Sequence, residues 1–156
     1  MDRYIKYMNN GIKYFLNAVL VVLVIAVFLQ VVFRFILNQP LAWTEEMARY
    51  CLIWITFLGA AFAMSSRAHI GMEFFVNLFA LPVRKILYVI ATIASLAFFL
   101  LMVVEGYDLA ARSMSQLSPV LRIPMGAIYA VIPLSGFILI VNMTSQFTKE
   151  YKNGGV

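Results

Sequence analysis

The chain has 156 residues, of which 63% are hydrophobic and only 12% charged, with a formal net charge of +5. Soluble domains carry about a quarter charged residues, and one of this size has too little polar side chain to cover so much apolar surface. A soluble enzyme or binding domain is therefore excluded.

Four uncharged runs set the class: 14–33 (20 residues), 50–66 (17), 86–104 (19) and 125–143 (19). A helix needs roughly 20 mainly apolar residues to cross the hydrocarbon layer. The expected fold is an all-α integral membrane protein, a single four-helix domain over 1–156 with spans at about 14–34, 47–66, 85–108 and 125–146. Short interfacial amphipathic helices accompany the spans. The first run is too long for a signal-peptide core and no small-residue cleavage site follows it, so it stays as a span. The basic residues are scattered between spans, where they serve orientation; no nucleic acid is expected as a partner.

At the N-terminus, Arg3, Lys6, Asn10 and Lys13 share one helical face, and Ile5, Met8, Ile12 and Phe15 another. This is a basic amphipathic helix suited to an anionic membrane surface. The alternative is a simple extension of the first span. Asn38-Gln39-Pro40 breaks the helix after Arg34. Thr44 is the expected cap of span two, with Glu45 and Glu46 in its first turn.

Between spans two and three, His69, Glu73 and Asn77 form a polar stripe and Ile70, Phe74, Leu78 and Leu81 an apolar one. That spacing predicts a short helix lying in the interface, ended by Pro82. Arg67, His69, Glu73, Arg84 and Lys85 are its candidate cytoplasmic anchors. Span three is expected to continue past Glu105 and Asp108 towards Arg112. Ser113–Ile123 is a loop, Pro124 a suitable first residue for span four, and Pro133 a kink inside it. Small residues, Gly59, Ala60, Ala61 and Ala63 in span two and Ala91, Ala94, Ser95 and Ala97 in span three, predict close helix contacts there.

Lys and Arg number eight in the N-terminal, second-connector and C-terminal flanks and four on the other side. The positive-inside rule then puts both termini in the cytoplasm of a bacterial inner membrane. The Arg34–Arg49 and Arg112–Arg122 regions face the periplasm.

Catalytic chemistry has little to work with. The single histidine, His69, cannot supply a bis-histidine haem, and the single cysteine, Cys51, gives neither disulfide nor metal cluster. No cofactor or metal is expected. The four runs hold no charge, whereas transport sites usually need intramembrane charges and discontinuous helices. Charge gathers instead at the periplasmic edge. There Arg34, Trp43, Glu45, Glu46 and Arg49 form either an ion-pair set pinning two helices or a contact for a partner or phospholipid. Arg34 is placed to reach Glu45 or Glu46 across the hairpin.

In order along the chain stand Gln30-Val31-Val32-Phe33-Arg34, Pro40-Leu41-Ala42-Trp43-Thr44-Glu45-Glu46, Trp54, Phe57-Leu58-Gly59-Ala60-Ala61, Arg67-Ala68-His69-Ile70, Ser118-Pro119, Ile123-Pro124, and Tyr129 with Pro133-Leu134. The series covers nearly the whole chain. It resembles the small membrane subunit of tripartite ATP-independent periplasmic (TRAP) transporters, the DctQ-like family, and most of all the sialic-acid systems. Two details differ from many relatives: Gly71-Met72-Glu73 follows the His-Ile pair, and Ser135 follows Pro133-Leu134. Some relatives are fused to the large subunit, whereas this chain reads as a separate polypeptide.

The resemblance implies a non-catalytic scaffold for a large membrane subunit (DctM-like). That subunit would carry an organic acid, sialic acid (N-acetylneuraminate) above all, in sodium-coupled uptake. A periplasmic substrate-binding protein (DctP-like) is the third component. Competing readings are a C4-dicarboxylate small subunit, an independent small transporter or channel, and a membrane enzyme or redox subunit.

Overall fold

A computed structural model describes residues 2–65 and 81–152. They form α1 (Asp2–Phe35), α2 (Ala42–Ser65), α3 (Leu81–Arg112), the short α4 (Met125–Tyr129) and α5 (Val131–Lys152). There is no strand among the described residues. Four helical stretches are long and apolar enough to cross a membrane: α1, α2, α3, and α4 with α5 together. Four crossings put the start of α1 and the end of α5 at one end of the bundle, the termini end. The α1–α2 turn and the α3–α4 loop lie at the other, the hairpin end.

The helices pack as a row. α1 lies along α2, α2 along α5, and α5 along α3; α1 only brushes α5, and α3 meets neither α1 nor α2. The middle helices therefore carry the core, centred on Leu58, Ala61, Val131 and Ile138. In the most apolar stretch of each crossing, 33% of α2 and 44% of α4–α5 is buried, against 6% of α1 and 11% of α3. The two edge helices are also the more apolar. In lipid, burial of apolar surface does not drive helices together, so an edge helix can remain apolar all round.

The local signals explain the boundaries. α1 ends at Phe35, and Asn38 turns the chain with a positive φ of 53°, a conformation asparagine tolerates. α2 begins at Ala42, so Thr44 is not its cap. Thr44 is fully buried, and its hydroxyl donates to the Leu41 carbonyl at 2.7 Å. Pro124 stands one place earlier than expected, immediately before α4. The kink at Pro133 appears as a break at Ala130 between α4 and α5. Pro133 has no N–H for the Tyr129 carbonyl four residues back, and its ring crowds that carbonyl.

α1 is one continuous helix, which separates the two readings of the N-terminus. Met8, Ile12 and Leu16 pack against the core, so the stretch extends span one rather than lying flat in lipid. The 66–80 connector, with Arg67, His69, Glu73 and most of the expected interfacial helix, lies outside the described residues. Arg84 and Lys85 fall near the start of α3.

The close helix contacts lie elsewhere than the small residues of span three suggest. Ala94 and Ala97 are exposed, and a side chain at Gly59 would meet nothing within 4 Å. α3 and α5 instead approach through Gly106 and Gly136. A Cβ at Gly106 would lie 2.9 Å from Ile132 Cγ2, and one at Gly136 3.1 Å from the Phe99 carbonyl. Gly126 is tighter still, with a Cβ falling 2.3 Å from the Ala110 carbonyl oxygen. In span two, Ala61 alone of the four small residues is fully buried.

Candidate functional site

The first two turns of α2 present two different faces. Glu45 and Arg49, four residues apart, point outward and pair at 3.1 Å with side chains 62% and 66% exposed. Glu46 and Tyr50, also four apart, point inward and are buried. A buried carboxylate needs donors on every side, and the α3–α4 loop supplies them. The backbone N–H groups of Val120 and Leu121 each donate to Glu46 Oε2 at 2.9 Å, and the Tyr50 hydroxyl donates to Oε1. Met125 Sδ lies 3.6 Å from the same hydroxyl.

The loop is built to meet that carboxylate. Ser118 is 1% exposed; its N–H donates to the Ile123 carbonyl, and its hydroxyl accepts from the Ile123 N–H. Met125 N–H donates to the Gln116 carbonyl. Arg122 takes a positive φ of 54° to close this miniature hairpin. Leu117 and Val120 are left about half exposed on its outer surface.

The five residues proposed for this edge thus separate. Arg49 and Glu45 pair as neighbours on the helix. Glu46 is an internal latch and binds neither Arg49 nor Arg34. Trp43 is 39% exposed. Arg34 is exposed and has no ion pair among the described residues. Both nearby carboxylates already have partners, Glu45 in Arg49 and Glu46 in Tyr50 and the α3–α4 loop. Farther along the α1–α2 pair, Phe15 stacks on Trp54 with ring centroids 5.7 Å apart.

A second polar cluster lies nearer the termini end. Asn9 Nδ2 donates to Asn142 Oδ1 at 2.9 Å. Asn142 Nδ2 lies 3.2 Å from Asn9 Oδ1 and 2.9 Å from the Ala61 carbonyl, joining α1, α5 and α2. Both asparagines are buried. Two signals for them are present in the sequence. Asn142 is an amide inside an uncharged apolar run, and Asn9 sits on the apolar side of the N-terminal helix, four residues after Ile5. A polar group facing other spans needs a partner there.

Among the described residues no buried side-chain nitrogen or oxygen lacks a hydrogen-bond partner, and no group of three metal-ligating side chains occurs. What the molecule offers is a braced row of helices with two apolar edges.

Residues 23–153 match the family described as "Tripartite ATP-independent periplasmic transporters, DctQ component". The chain belongs to this family. A TRAP transporter small permease protein of Haemophilus influenzae is 26% identical over 133 residues, 85% of this chain and 83% of the relative. The sialic acid TRAP transporter small permease protein SiaQ of Vibrio cholerae is 30% identical over 105 residues, 67% of this chain and 61% of the relative. The isethionate TRAP transporter permease protein DctMQ of Oleidesulfovibrio alaskensis is 27% identical over 151 residues, 92% of this chain but 24% of that longer permease. The family is a multi-pass membrane subunit that partners with a large permease, and it is not an enzyme.

Proposed function

We propose that this chain is the scaffold of a TRAP transporter, a single four-helix domain that widens the immobile part of the large permease. The observation that carries this reading is the open row. A closed bundle spends its apolar faces on itself; here α1 and α3 each lie along one neighbour and few of their apolar residues are fully buried, while each buried polar side chain described has a hydrogen-bond partner. A transport domain that moves needs a frame that does not move with it. A row several helices wide resists tilting in the bilayer better than one or two helices do.

In this reading the protein sits in the bacterial inner membrane with both termini cytoplasmic, and the hairpin end faces the periplasm. There Arg34, Trp43, Glu45 and Arg49 form the exposed edge, and Glu46 holds the neighbouring loop in place for the large permease and the periplasmic substrate-binding protein. Uptake is sodium-coupled and the cargo an organic acid. Sialic acid is favoured by the motif resemblance, and SiaQ is among the similar proteins. Arg67, His69, Glu73, Arg84 and Lys85 anchor the cytoplasmic side.

The test is a C-terminally tagged chain purified from native membranes in mild detergent. A stoichiometric large multispan protein is expected with it, and deletion of the chain is expected to abolish uptake of labelled N-acetylneuraminate. A chain that purifies alone, with uptake intact after deletion, overturns the reading. A C-terminal reporter active only in the periplasm is expected to stay silent; activity would reverse the orientation.

A further inference from the structure

We propose that the outward face of the first turns of α1, carrying Lys6, Tyr7, Lys13 and Tyr14, is a docking surface for anionic phospholipid headgroups. The face is defined by what lies behind it. Met8, Ile12 and Leu16 pack on the core, and Asn9 is held inward by Asn142. At 100° per residue, Lys13, Lys6, Asn10, Tyr14 and Tyr7 then fall within an arc of about 120° on the opposite side. All five are exposed, Tyr7 at 67% and Tyr14 at 73%.

Length places this face at headgroup depth. α1 has 34 residues, about 51 Å of helix, against roughly 30 Å of hydrocarbon and 40–45 Å with the headgroup layers. Its uncharged run begins at Tyr14, so Lys13 marks the hydrocarbon boundary and Lys6 stands about 10 Å beyond it. Among the residues whose side chains are described, neither lysine is in an ion pair. Tyrosine prefers the membrane–water interface, where its ring is apolar and its hydroxyl wet. Two exposed ammonium groups, two turns apart beside such rings, complement phosphate-bearing headgroups of net negative charge. The Asn9–Asn142 bond fixes the rotation of α1, so the surface is preformed. None of this depends on which cargo the transporter carries.

The test uses the full chain in phosphatidylcholine nanodiscs containing increasing phosphatidylglycerol. An environment-sensitive fluorophore is attached at Gly11→Cys in a Cys51→Ala background; Gly11 is exposed and has open space around it. The fluorescence is expected to titrate with phosphatidylglycerol. The midpoint should rise by about fivefold for each of Lys6→Gln and Lys13→Gln, and the response should weaken with salt. Lys6→Arg with Lys13→Arg should keep the parent midpoint. An unchanged midpoint in the Gln variants overturns the proposal, as does an equal shift in the Arg variant, because charge would then not be what is read. Loss of large-permease capture by the Gln variants with no lipid effect assigns the face to a protein and also overturns it.

Discussion

Asn142→Leu is the most informative single change, because it removes a polar hub without changing side-chain size greatly. Three hydrogen bonds are lost: two with Asn9 and one with the Ala61 carbonyl. Interhelical hydrogen bonds in membrane proteins average about 0.6 kcal/mol each, which gives roughly 2 kcal/mol. The Asn9 amide is left buried without partners, which adds about 1–3 kcal/mol. The more apolar leucine offsets part of this, so the net destabilisation should be about 2–4 kcal/mol. Asn9→Leu should behave similarly. The double variant orphans neither amide, since Ala61 loses only a second bond to its carbonyl. It should therefore fall short of the sum of the single effects by about 2–4 kcal/mol, the two shared bonds and the orphaning cost together. Reversible unfolding in mixed dodecyl maltoside and dodecyl sulfate, followed by circular dichroism, measures all three. Additivity within about 0.5 kcal/mol would mean that the two amides do not act on each other, and the bracing argument would be wrong.

Gly126→Ala sets a methyl 2.3 Å from a backbone oxygen that has nowhere to go, and should cost about 3 kcal/mol or more by the same assay. Gly59→Ala meets nothing and should stabilise α2 by up to about 1 kcal/mol. Similar effects at the two sites would refute the packing of α4 on α3. Glu46→Ala should free the loop it latches, so that trypsin cuts after Arg122 faster than in the parent, while the outward Glu45→Ala leaves that rate unchanged. Equal rates for Glu46→Ala and the parent would remove the latch. Arg49→Glu disturbs only an exposed pair worth about 0.3–0.5 kcal/mol, so the chain should still fold, but capture of the large permease should drop. Intact assembly and uptake would show that this edge is ordinary surface. Arg34→Gln should leave stability unchanged, because no ion pair is lost.

The parts of the fold that depend on composition were legible in the chain itself. Uncharged runs of 17 to 20 residues identify four crossings, because lipid offers backbone groups no partner and only a helix satisfies them internally. Asn38 to Pro40 and Pro133 mark breaks, because proline removes a donor and crowds the preceding turn. The ordered motifs around Trp43 and Gly59 were enough to identify the family.

Which residues meet across helices was decided only by the tertiary structure. Glu45 and Glu46 are adjacent and chemically alike, yet one faces solvent and the other fastens a loop more than 70 residues away. A helix turns 100° per residue, and nothing in the order of side chains says which sector a neighbour will fill. Small residues behave the same way: Gly59 lies in open space while Gly126 is filled to contact. Arg34 is close in sequence to the acidic pair across a short turn, yet Glu45 is held by Arg49 and Glu46 by the α3–α4 loop. Sequence fixes what a membrane segment can be, since that is a transaction between side chains and lipid. Packing among segments depends on register and rotation, which arise only when the helices meet.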